Sequence, residues 1–353
     1  MDCVTLDRAV PDETGTKAPL RDARQRPLRD LRISVTDRCN LRCAYCMPAS
    51  IYPENHCFQS RDALLSFEEI ARIARIAADF GVHKIRLTGG EPLLRHNLDE
   101  LVSMLAGLPT IQDLAITTNG LLLPRYARPL RDAGMNRITV SLDSLDPAVL
   151  RQMCGRDVHP DLVLDGIAAA RDAGFESIKV NTVLQRGVND GSIVDLARHF
   201  RGTGIVLRFI EFMDVGTMNQ WKLDRVVPAS EVIARIHEHF PLEPVAPSYP
   251  GEVASRYRYA DGHGEIGVIA SVTRPFCGGC SRLRLTCDGH LFTCLFAARG
   301  LDLRPYLRGN SADAPLEDQI EGLWRQRSDR YSEERRCGPS ARQEKVEMYH
   351  IGG

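Results

Sequence analysis

The sequence predicts an α/β protein whose main part is a partial (β/α)6 barrel, followed by a small antiparallel β layer. Six β-rich segments alternate with helical patterns between Leu31 and about residue 220. This alternation indicates parallel strands joined by crossover helices. Six units are fewer than the eight that close a full barrel, so we expect an open or partial one. An open doubly wound sheet is the alternative, but no G-x-G-x-x-G follows the first strand.

The elements of the barrel are identified from apolar runs and from the residues that begin and end them. Ser66 and Glu69 form a capping box at the start of the first helix, and Gly81 ends that helix. The triplet Asp-Ala-Gly ends two later helix patterns, at 132–134 and 172–174, and leads into a strand each time. The predicted strands are 31–35, 84–88, 113–117, 137–141, 177–183 and 205–210.

Three parts of the chain are predicted: an irregular leader (1–30), the barrel (31–220) and a C-terminal region (221–353). The Pro-rich segment 241–251 is predicted to be a linker or loop. Short strand-like pieces follow it, and we expect them to form an antiparallel layer against the barrel. These pieces are 256–260, 265–270, 282–286 and the run HLFTCLF after the turn at Asp288-Gly289.

Charge and hydropathy exclude several classes of function. Lys+Arg number 45 and Asp+Glu 46, a net charge of -1, whereas a nucleic-acid-binding protein needs a basic excess. No run of about 18 apolar residues is present, so no transmembrane helix is expected. The first twenty residues contain no apolar signal segment. We therefore expect a cytoplasmic protein that binds neither nucleic acid nor membranes.

Eleven cysteines are present, and six of them form two sets. The first set is Cys39, Cys43 and Cys46. They lie on the loop after the first strand, where barrel active sites are found. Three thiolates alone cannot complete a tetrahedral zinc site. They can bind three irons of an Fe–S cube and leave the fourth iron open. The alternatives are incidental thiols or a zinc site completed elsewhere.

The second set is Cys277, Cys280 and Cys294. Arg282 and Arg284 follow Cys280 in the sequence. A C-x2-C pair with a later cysteine is most often a zinc site. Two guanidiniums instead favour an anionic ligand beside a cluster. Candidate fourth ligands for a zinc site are Cys287, His290 and His263. We predict that Cys287 is a small buried residue and not a ligand.

The motif C-N-L-R-C-A-Y-C at 39–46 resembles the signature of the radical S-adenosylmethionine (radical-SAM) superfamily, and Gly89-Gly90-Glu91-Pro92 resembles its GGEP segment. The resemblance implies that the open iron chelates the methionine part of S-adenosylmethionine. Reductive cleavage then gives a 5′-deoxyadenosyl radical. The positions that match the superfamily's contacts to this cofactor are Tyr45, Gly90, Ser141 and Met213.

Together with the second cysteine set, the run SRLRLT at 281–286 and Gly352-Gly353 resemble the GTP 3′,8-cyclases of molybdenum-cofactor (molybdopterin) biosynthesis. This family implies two [4Fe–4S] clusters and the conversion of GTP to (8S)-3′,8-cyclo-7,8-dihydroguanosine 5′-triphosphate. The radical removes hydrogen from ribose C3′, and C3′ attacks guanine C8. Catalytic roles are implied for Arg282, Arg284, Gly352 and Gly353.

Five basic residues interrupt apolar strands: Arg32, Lys84, Arg86, Lys179 and Arg208. A charge within a strand is costly unless it faces a wet or ligand-filled site, although any one of them could be a satisfied ion pair. Five on four of the six barrel strands favour a polyanionic substrate. The resemblance implies that GTP is bound by Arg32, Lys84, Arg86, Thr117, Lys179, Arg208, Arg282 and Arg284.

The family also implies partners: an external flavodoxin- or ferredoxin-like reductant, a second copy of the chain in a homodimer, and the downstream cyclic pyranopterin monophosphate synthase. Two other interpretations of the function remain open. One is a different radical-SAM enzyme with an auxiliary cluster, such as a peptide-modifying maturase. The other is a structural zinc-knuckle binding protein.

Overall fold

The computed structural model describes residues 19–249, 251–308, 312–335 and 345–352. Six parallel strands lie side by side in chain order and form the predicted partial barrel. The agreement with the predicted segments is within one residue at every boundary. The strands are β1 (Asp30–Ser34), β2 (Lys84–Thr88), β3 (Asp113–Thr118), β4 (Arg137–Ser141), β5 (Ser177–Leu184) and β6 (Val206–Glu211).

Helices connect the barrel strands and cover the outer face of the sheet. The first begins with the predicted capping box: Ser66 Oγ accepts from the Glu69 N–H at 3.1 Å, and the Ser66 N–H donates to Glu69 at 2.7 Å. The helices of this region are α1 (Phe67–Asp79), α2 (Leu98–Ala106), α3 (Leu123–Asp132), α4 (Pro147–Cys154), α5 (Pro160–Asp172), α6 (Ile193–Phe200) and α7 (Ala229–His239). The C-terminal helices are α8 (Arg304–Leu307), α9 (Asp313–Arg325), α10 (Tyr331–Glu334) and α11 (Met348–Ile351).

The C-terminal strands differ in position from the expected separate layer. They do pair antiparallel with one another, but they extend both edges of the barrel sheet to 12 strands. One group joins β6 and the other joins β1, each through a parallel contact. An open barrel has two edges with unpaired backbone groups, and added strands satisfy them. These strands are β7 (Leu242–Val245), β8 (Ser255–Tyr259), β9 (Glu265–Ile269), β10 (Arg282–Leu285), β11 (His290–Phe292) and β12 (Leu301–Asp302).

The prediction of a linker or loop across 241–251 is wrong for its first part. Strand β7 lies within this segment and pairs with β8. Pro244 belongs to β7 and is tolerated because this strand is at the outer edge of the sheet, where one row of N–H groups needs no partner. A proline-rich composition therefore did not prevent pairing here.

Strand periodicity divides the barrel into an apolar outer face and a polar interior. On β2, Ile85 and Leu87 are fully buried against the helices, whereas Lys84, Arg86 and Thr88 line the interior. Side chains alternate between the two faces of a strand, so one five-residue segment supplies both. The hydrophobic core thus lies between the sheet and its helices, and the space inside the barrel is left for polar groups.

No helix among the described residues is both long and apolar enough to cross a membrane. Within the predicted leader, Leu20 and Leu28 are buried in the core beside the first strand. The boundaries placed at residues 30 and 220 stay a prediction.

Candidate active site

The inside of the barrel holds a cavity of about 340 Å³. All six cysteines of the two sets line it, together with inward-facing side chains of the barrel strands and of β10. A single space therefore connects the two motifs that stand 231 positions apart in the sequence, from Cys46 to Cys277.

The topology places the two cysteine sets at opposite ends of this space. Strands β1 and β10 run parallel, with Asp30 opposite Arg282. The first set follows β1 and so lies at the carboxyl end of the sheet, whereas Cys277 and Cys280 precede β10 and lie at the amino end. Strand β11 runs back antiparallel to β10, which returns Cys294 to the same end.

The loop of the first set is held by a buried arginine. The Arg42 guanidinium donates to the carbonyls of Cys39, Leu41 and Tyr52, each at 2.8 Å. The Arg42 N–H also donates to Cys154 O at 2.8 Å. These bonds join the loop to the end of α4. The loop geometry is therefore set by the protein, before any ligand binds to the thiols.

The GGEP segment packs against the same loop. A Cβ on Gly89 would lie 2.4 Å from Thr36 O, and one on Gly90 would lie 2.3 Å from Arg38 O. The Gly90 N–H donates to Thr36 O at 2.8 Å. The close approach in the structure is to the backbone that leads into the first cysteine set.

Buried carboxyl groups surround this end of the cavity. Glu91 accepts from Thr118 Oγ1 at 2.7 Å and from the Asn119 N–H at 2.8 Å. Asp143 accepts from Tyr45 Oη at 3.0 Å and from the Val183 N–H at 2.9 Å. Burial raises the pKa of Glu91 to about 7 and that of Asp143 to about 6. Burial also raises the pKa values of all three thiols, Cys39, Cys43 and Cys46.

The four residues that the resemblance assigned to the cofactor all line the cavity at or near this end. Tyr45 is on the cysteine loop, Gly90 follows β2, Ser141 ends β4, and Met213 follows β6. Carboxyl ends of parallel strands meet at one edge, which brings residues from four segments together.

The second set has a basic environment. Cys277 begins a short 3₁₀ helix (Cys277–Gly279), and Arg282 donates to Cys280 Sγ from Nε and Nη2 at 3.3 and 3.2 Å. Burial alone would raise the pKa of the Cys280 thiol, but Arg282 and Arg327 outweigh burial and lower it to about 6. Burial and then Asp329 raise the pKa of the Cys294 thiol to about 11, so within this set the arginines favour the thiolate at Cys280.

Cys287 lies away from the second set, as a small buried residue. It follows β10 at the end opposite to Cys280, separated by roughly 20 Å of extended chain. Burial raises the pKa of its thiol to about 12. Neither Cys287, His290 nor His263 lines the cavity.

Within the described residues, no three His, Cys, Asp or Glu side chains are arranged to hold a single metal ion. A [4Fe–4S] cube does not require that arrangement, because each thiolate binds a different iron. The donor chemistry of both sets, three thiols each beside an interior space, fits such a group. Thr117 also lines the cavity, and its buried Oγ1 has no hydrogen-bond partner in the described part of the chain.

The middle of the cavity is rich in cations. Strand register places Arg32, Arg86 and Arg284 in one row across three neighbouring strands. Burial and neighbouring arginines lower the pKa of Lys179 to about 7 and that of Arg208 to about 9. Ten basic and five acidic side chains line the cavity. Asp113 pairs with Lys84 at 3.4 Å and with Arg137, and an anionic ligand would offset the basic excess that remains. All five predicted strand cations are among the lining residues.

Several lining residues were missed by the sequence reasoning. Arg137 and Asn181 share the inward faces of β4 and β5 with predicted residues, so strand alternation could have identified them. Tyr249 contacts Lys84, with 3.3 Å between Nζ and Oη, and follows no periodic pattern. Arg26 and Arg327 come from segments outside the barrel, and no local signal points to them.

The C-terminal tail packs beside the ends of β1 and β2, and within its described residues Met348 lines the cavity whereas Gly352 does not. Arg284 Nη1 donates to Gly352 O. Gly352 has φ +75°, and a Cβ there would lie 2.6 Å from Thr88 Cγ2. Upstream, Glu347 accepts from the Thr217 N–H at 2.8 Å. Gly353 lies outside the described residues.

Comparisons with known proteins agree with this architecture. The chain matches the Radical SAM superfamily model over residues 33–200 and the Molybdenum Cofactor Synthesis C model over 205–333. It is 55% identical to a GTP 3′,8-cyclase of Acidothermus cellulolyticus, covering 95% of this chain and 99% of that one. It is 44% identical to the GTP 3′,8-cyclase of Staphylococcus haemolyticus, with coverage of 95% and 99%.

Solved structures show a similar fold at low sequence identity. Streptococcus suis SuiB bound to S-adenosylmethionine has a TM-score of 0.59 and 17% identity, covering 83% of this chain and 68% of that one. SuiB bound to the precursor peptide SuiA has a TM-score of 0.59 and 16% identity, with coverage of 89% and 67%. At this identity the likeness shows the fold alone.

Proposed function

The chain belongs to the GTP 3′,8-cyclase family, and from this premise we propose how its residues bind GTP and direct the cyclisation. Its activity is that of a radical-SAM enzyme of molybdenum-cofactor biosynthesis. The residue assignments rest on one observation. A cavity inside the barrel is lined by three thiols at each end and by basic side chains between them.

The thiols are assigned to two [4Fe–4S] clusters. Cys39, Cys43 and Cys46 would hold the first, and the second set would hold the other. Tyr45, Gly90, Ser141 and Met213 would contact S-adenosylmethionine. When bound, the first cluster and S-adenosylmethionine supply the 5′-deoxyadenosyl radical that removes hydrogen from C3′ of the GTP ribose. The protein orients the substrate, excludes water and supplies charge.

The triphosphate of GTP is assigned to the interior cations. The assigned residues face inward and are buried or half-buried. Lys84 lies 3.4 Å from Asp113, but Lys179 and Arg208 are held among neighbouring arginines that repel them when no ligand is present. A triphosphate would relieve that repulsion and form charge-assisted hydrogen bonds. The residues are Arg32, Lys84, Arg86, Lys179 and Arg208, with Thr117 as a hydroxyl donor.

The residues Arg282, Arg284 and the terminal glycines are assigned to the reacting end of the substrate. After the bond between C3′ and C8 forms, guanine must take up one electron and one proton. Burial and Arg282 lower the pKa of Arg284 to about 9, so Arg284 is the better proton donor of the pair. The contact from Arg284 to Gly352 O places the tail beside that group.

The finer partner assignments are also proposals. The reaction consumes an electron, so an external reductant of the flavodoxin or ferredoxin type is required. Clusters held by thiolates need a reducing compartment, which supports a cytoplasmic location. The product is proposed to pass to the downstream pyranopterin synthase, and the chain is proposed to act as a homodimer.

The test is anaerobic reconstitution with iron and sulfide, followed by dithionite and S-adenosylmethionine. The 5′-deoxyadenosine released is quantified with GTP, with ATP and with neither. We expect release with matching loss of GTP, and none with ATP above background. Release indifferent to GTP would contradict the substrate assignment, and zinc without acid-labile sulfide would contradict the clusters.

A further inference from the structure

A buried ion triad lies beside the second cysteine set. Arg26 Nε donates to Asp22 Oδ2 at 2.6 Å, and Arg327 Nη1 lies 3.5 Å from the same oxygen. The side chains of Arg26 and Arg327 are 2% and 1% exposed, and that of Asp22 is fully buried. Buried charges are retained only where their partners and hydrogen bonds repay the loss of water.

The two arginines of the triad hold the backbone of the cysteine pair. Arg26 Nη1 donates to Cys277 O at 3.0 Å and to Asp329 O at 2.8 Å. Arg327 Nη1 donates to Cys280 O at 2.7 Å. A carbonyl of each paired cysteine is thus fixed by a guanidinium, and both arginines line the cavity with those cysteines.

The triad joins segments that are remote in sequence. Asp22 and Arg26 precede β1, and Asp22 Oδ1 accepts from the N–H groups of Arg24 and Arg26 at 2.9 Å each. Arg327 follows α9, and its guanidinium lies 4.5 Å from the Trp324 ring centre. Asp329 Oδ2 also lies 3.4 Å from Arg327 Nε, so the two guanidiniums face one fully buried carboxylate and one that is 28% exposed.

We propose that Asp22, Arg26 and Arg327 are positioning residues for the second cysteine set, and that the positive charge of Arg327, which Asp22 opposes, raises the reduction potential of the iron–sulfur group bound there. Reduction adds a negative charge to the group, and nearby positive charge stabilises that form. This inference rests on the proposed assignment of the second set to a [4Fe–4S] cluster.

The experiment is a potentiometric titration of the anaerobic holoenzyme, followed by electron paramagnetic resonance. Arg327→Met removes a positive charge and is expected to lower the midpoint potential of one of the two cluster signals. Asp22→Asn removes the negative charge and is expected to raise the potential of the same signal. Arg325→Met is the matched control, because Arg325 is 54% exposed and pairs with Glu321 at the surface.

Shifts of opposite sign in the two charge variants, confined to one signal, support the inference. Shifts of the same sign, or no shift, overturn the electrostatic role. If Arg327→Met does not fold, Arg327→Lys decides the positioning role, since lysine keeps the charge but not the guanidinium geometry. It is expected to release iron faster to a chelator, and an unchanged rate overturns positioning. A wild-type protein with only one cluster would instead contradict the proposed function.

Discussion

Each of the two cysteine sets presents three thiols to one cavity, and Cys39 of the first set and Cys280 of the second have opposite electrostatic surroundings. At the carboxyl end of the sheet, burial and then Glu91 raise the pKa of Cys39 to about 12. At the amino end, Arg282 and Arg327 overcome burial and lower the pKa of Cys280 to about 6. Thiol number and spacing alone do not show this difference.

The comparison shows how one barrel can separate two ligands of opposite charge. S-adenosylmethionine carries a sulfonium cation, which suits the end with Glu91 and Asp143. GTP is a polyanion, and its triphosphate suits the cations between Glu91 and the second cysteine set. The strands between the two ends keep the clusters apart and leave room for the substrate, so each set can have a separate task.

The largest effect is expected from removing one cysteine of either set, because the first set is needed for radical formation and the second for the response to GTP. Cys43→Ala and Cys280→Ala should each remove about four irons per chain, since each cube loses a ligand. Cys43→Ala should abolish 5′-deoxyadenosine release. Cys280→Ala should retain release but lose its dependence on GTP. Iron analysis and chromatography of 5′-deoxyadenosine measure both, and identical behaviour of the two variants would refute the division of tasks.

A smaller effect is expected where the tail packs against the ends of β1 and β2. Gly352 and Gly174 have φ of +75° and +87°, but only at Gly352 would a Cβ clash, because nothing lies within 4 Å at Gly174. Alanine at either position costs roughly 1 kcal/mol of backbone strain. Gly352→Ala should lower cyclisation at least about tenfold by displacing the tail, with little change in Tm. Gly174→Ala should lower Tm and leave cyclisation intact; equal activity in the two variants would argue against the tail's role.

The middle of the cavity should show a pH dependence. Burial and the adjacent Arg208 lower the pKa of Lys179 to about 7, and a bound phosphate favours the protonated amine and raises that pKa. GTP affinity should therefore be highest below pH 7 and should fall by up to about tenfold per unit above it. The Lys179→Met variant should bind GTP more weakly, and its affinity should not show this fall with pH. Any pH dependence that remains in the variant comes from the ionisation of GTP itself and serves as an internal control. Calorimetry across pH 6 to 9 checks the slopes, and parallel profiles would exclude Lys179 as the source.

The smallest effect is expected at the cysteine that lies outside both sets. Cys287→Ala should retain all the iron of the wild type, because the β10–β11 hairpin directs Cys287 away from Cys280. It should cost about 1 kcal/mol of stability, since Cys287 is 1% exposed and its sulfur leaves a small void. Iron content and thermal unfolding give the answer, and loss of the second cluster would show that Cys287 is a ligand.

Much of the barrel and its lining could be predicted from local pattern. The six strands and their inward cations follow from period-two alternation, which is a property of a few consecutive residues. The capping box at Ser66 and the cysteine spacings are equally local. The cavity is lined by all six cysteines of the two sets and by all five predicted strand cations.

Other features depended on contacts between distant segments. The C-terminal strands pair with the barrel edges and not in a layer of their own, because unpaired backbone at an open edge accepts any strand that reaches it. Arg26 lies in a leader without periodicity, yet it bonds to Cys277 O, 251 positions away. The sequence by itself determined which strand side chains face the inside of the barrel, because that follows from the alternation of neighbouring residues. Only the packing of remote segments decided that one cysteine set is surrounded by carboxyl groups and the other by guanidiniums, because burial and charge depend on neighbours in space.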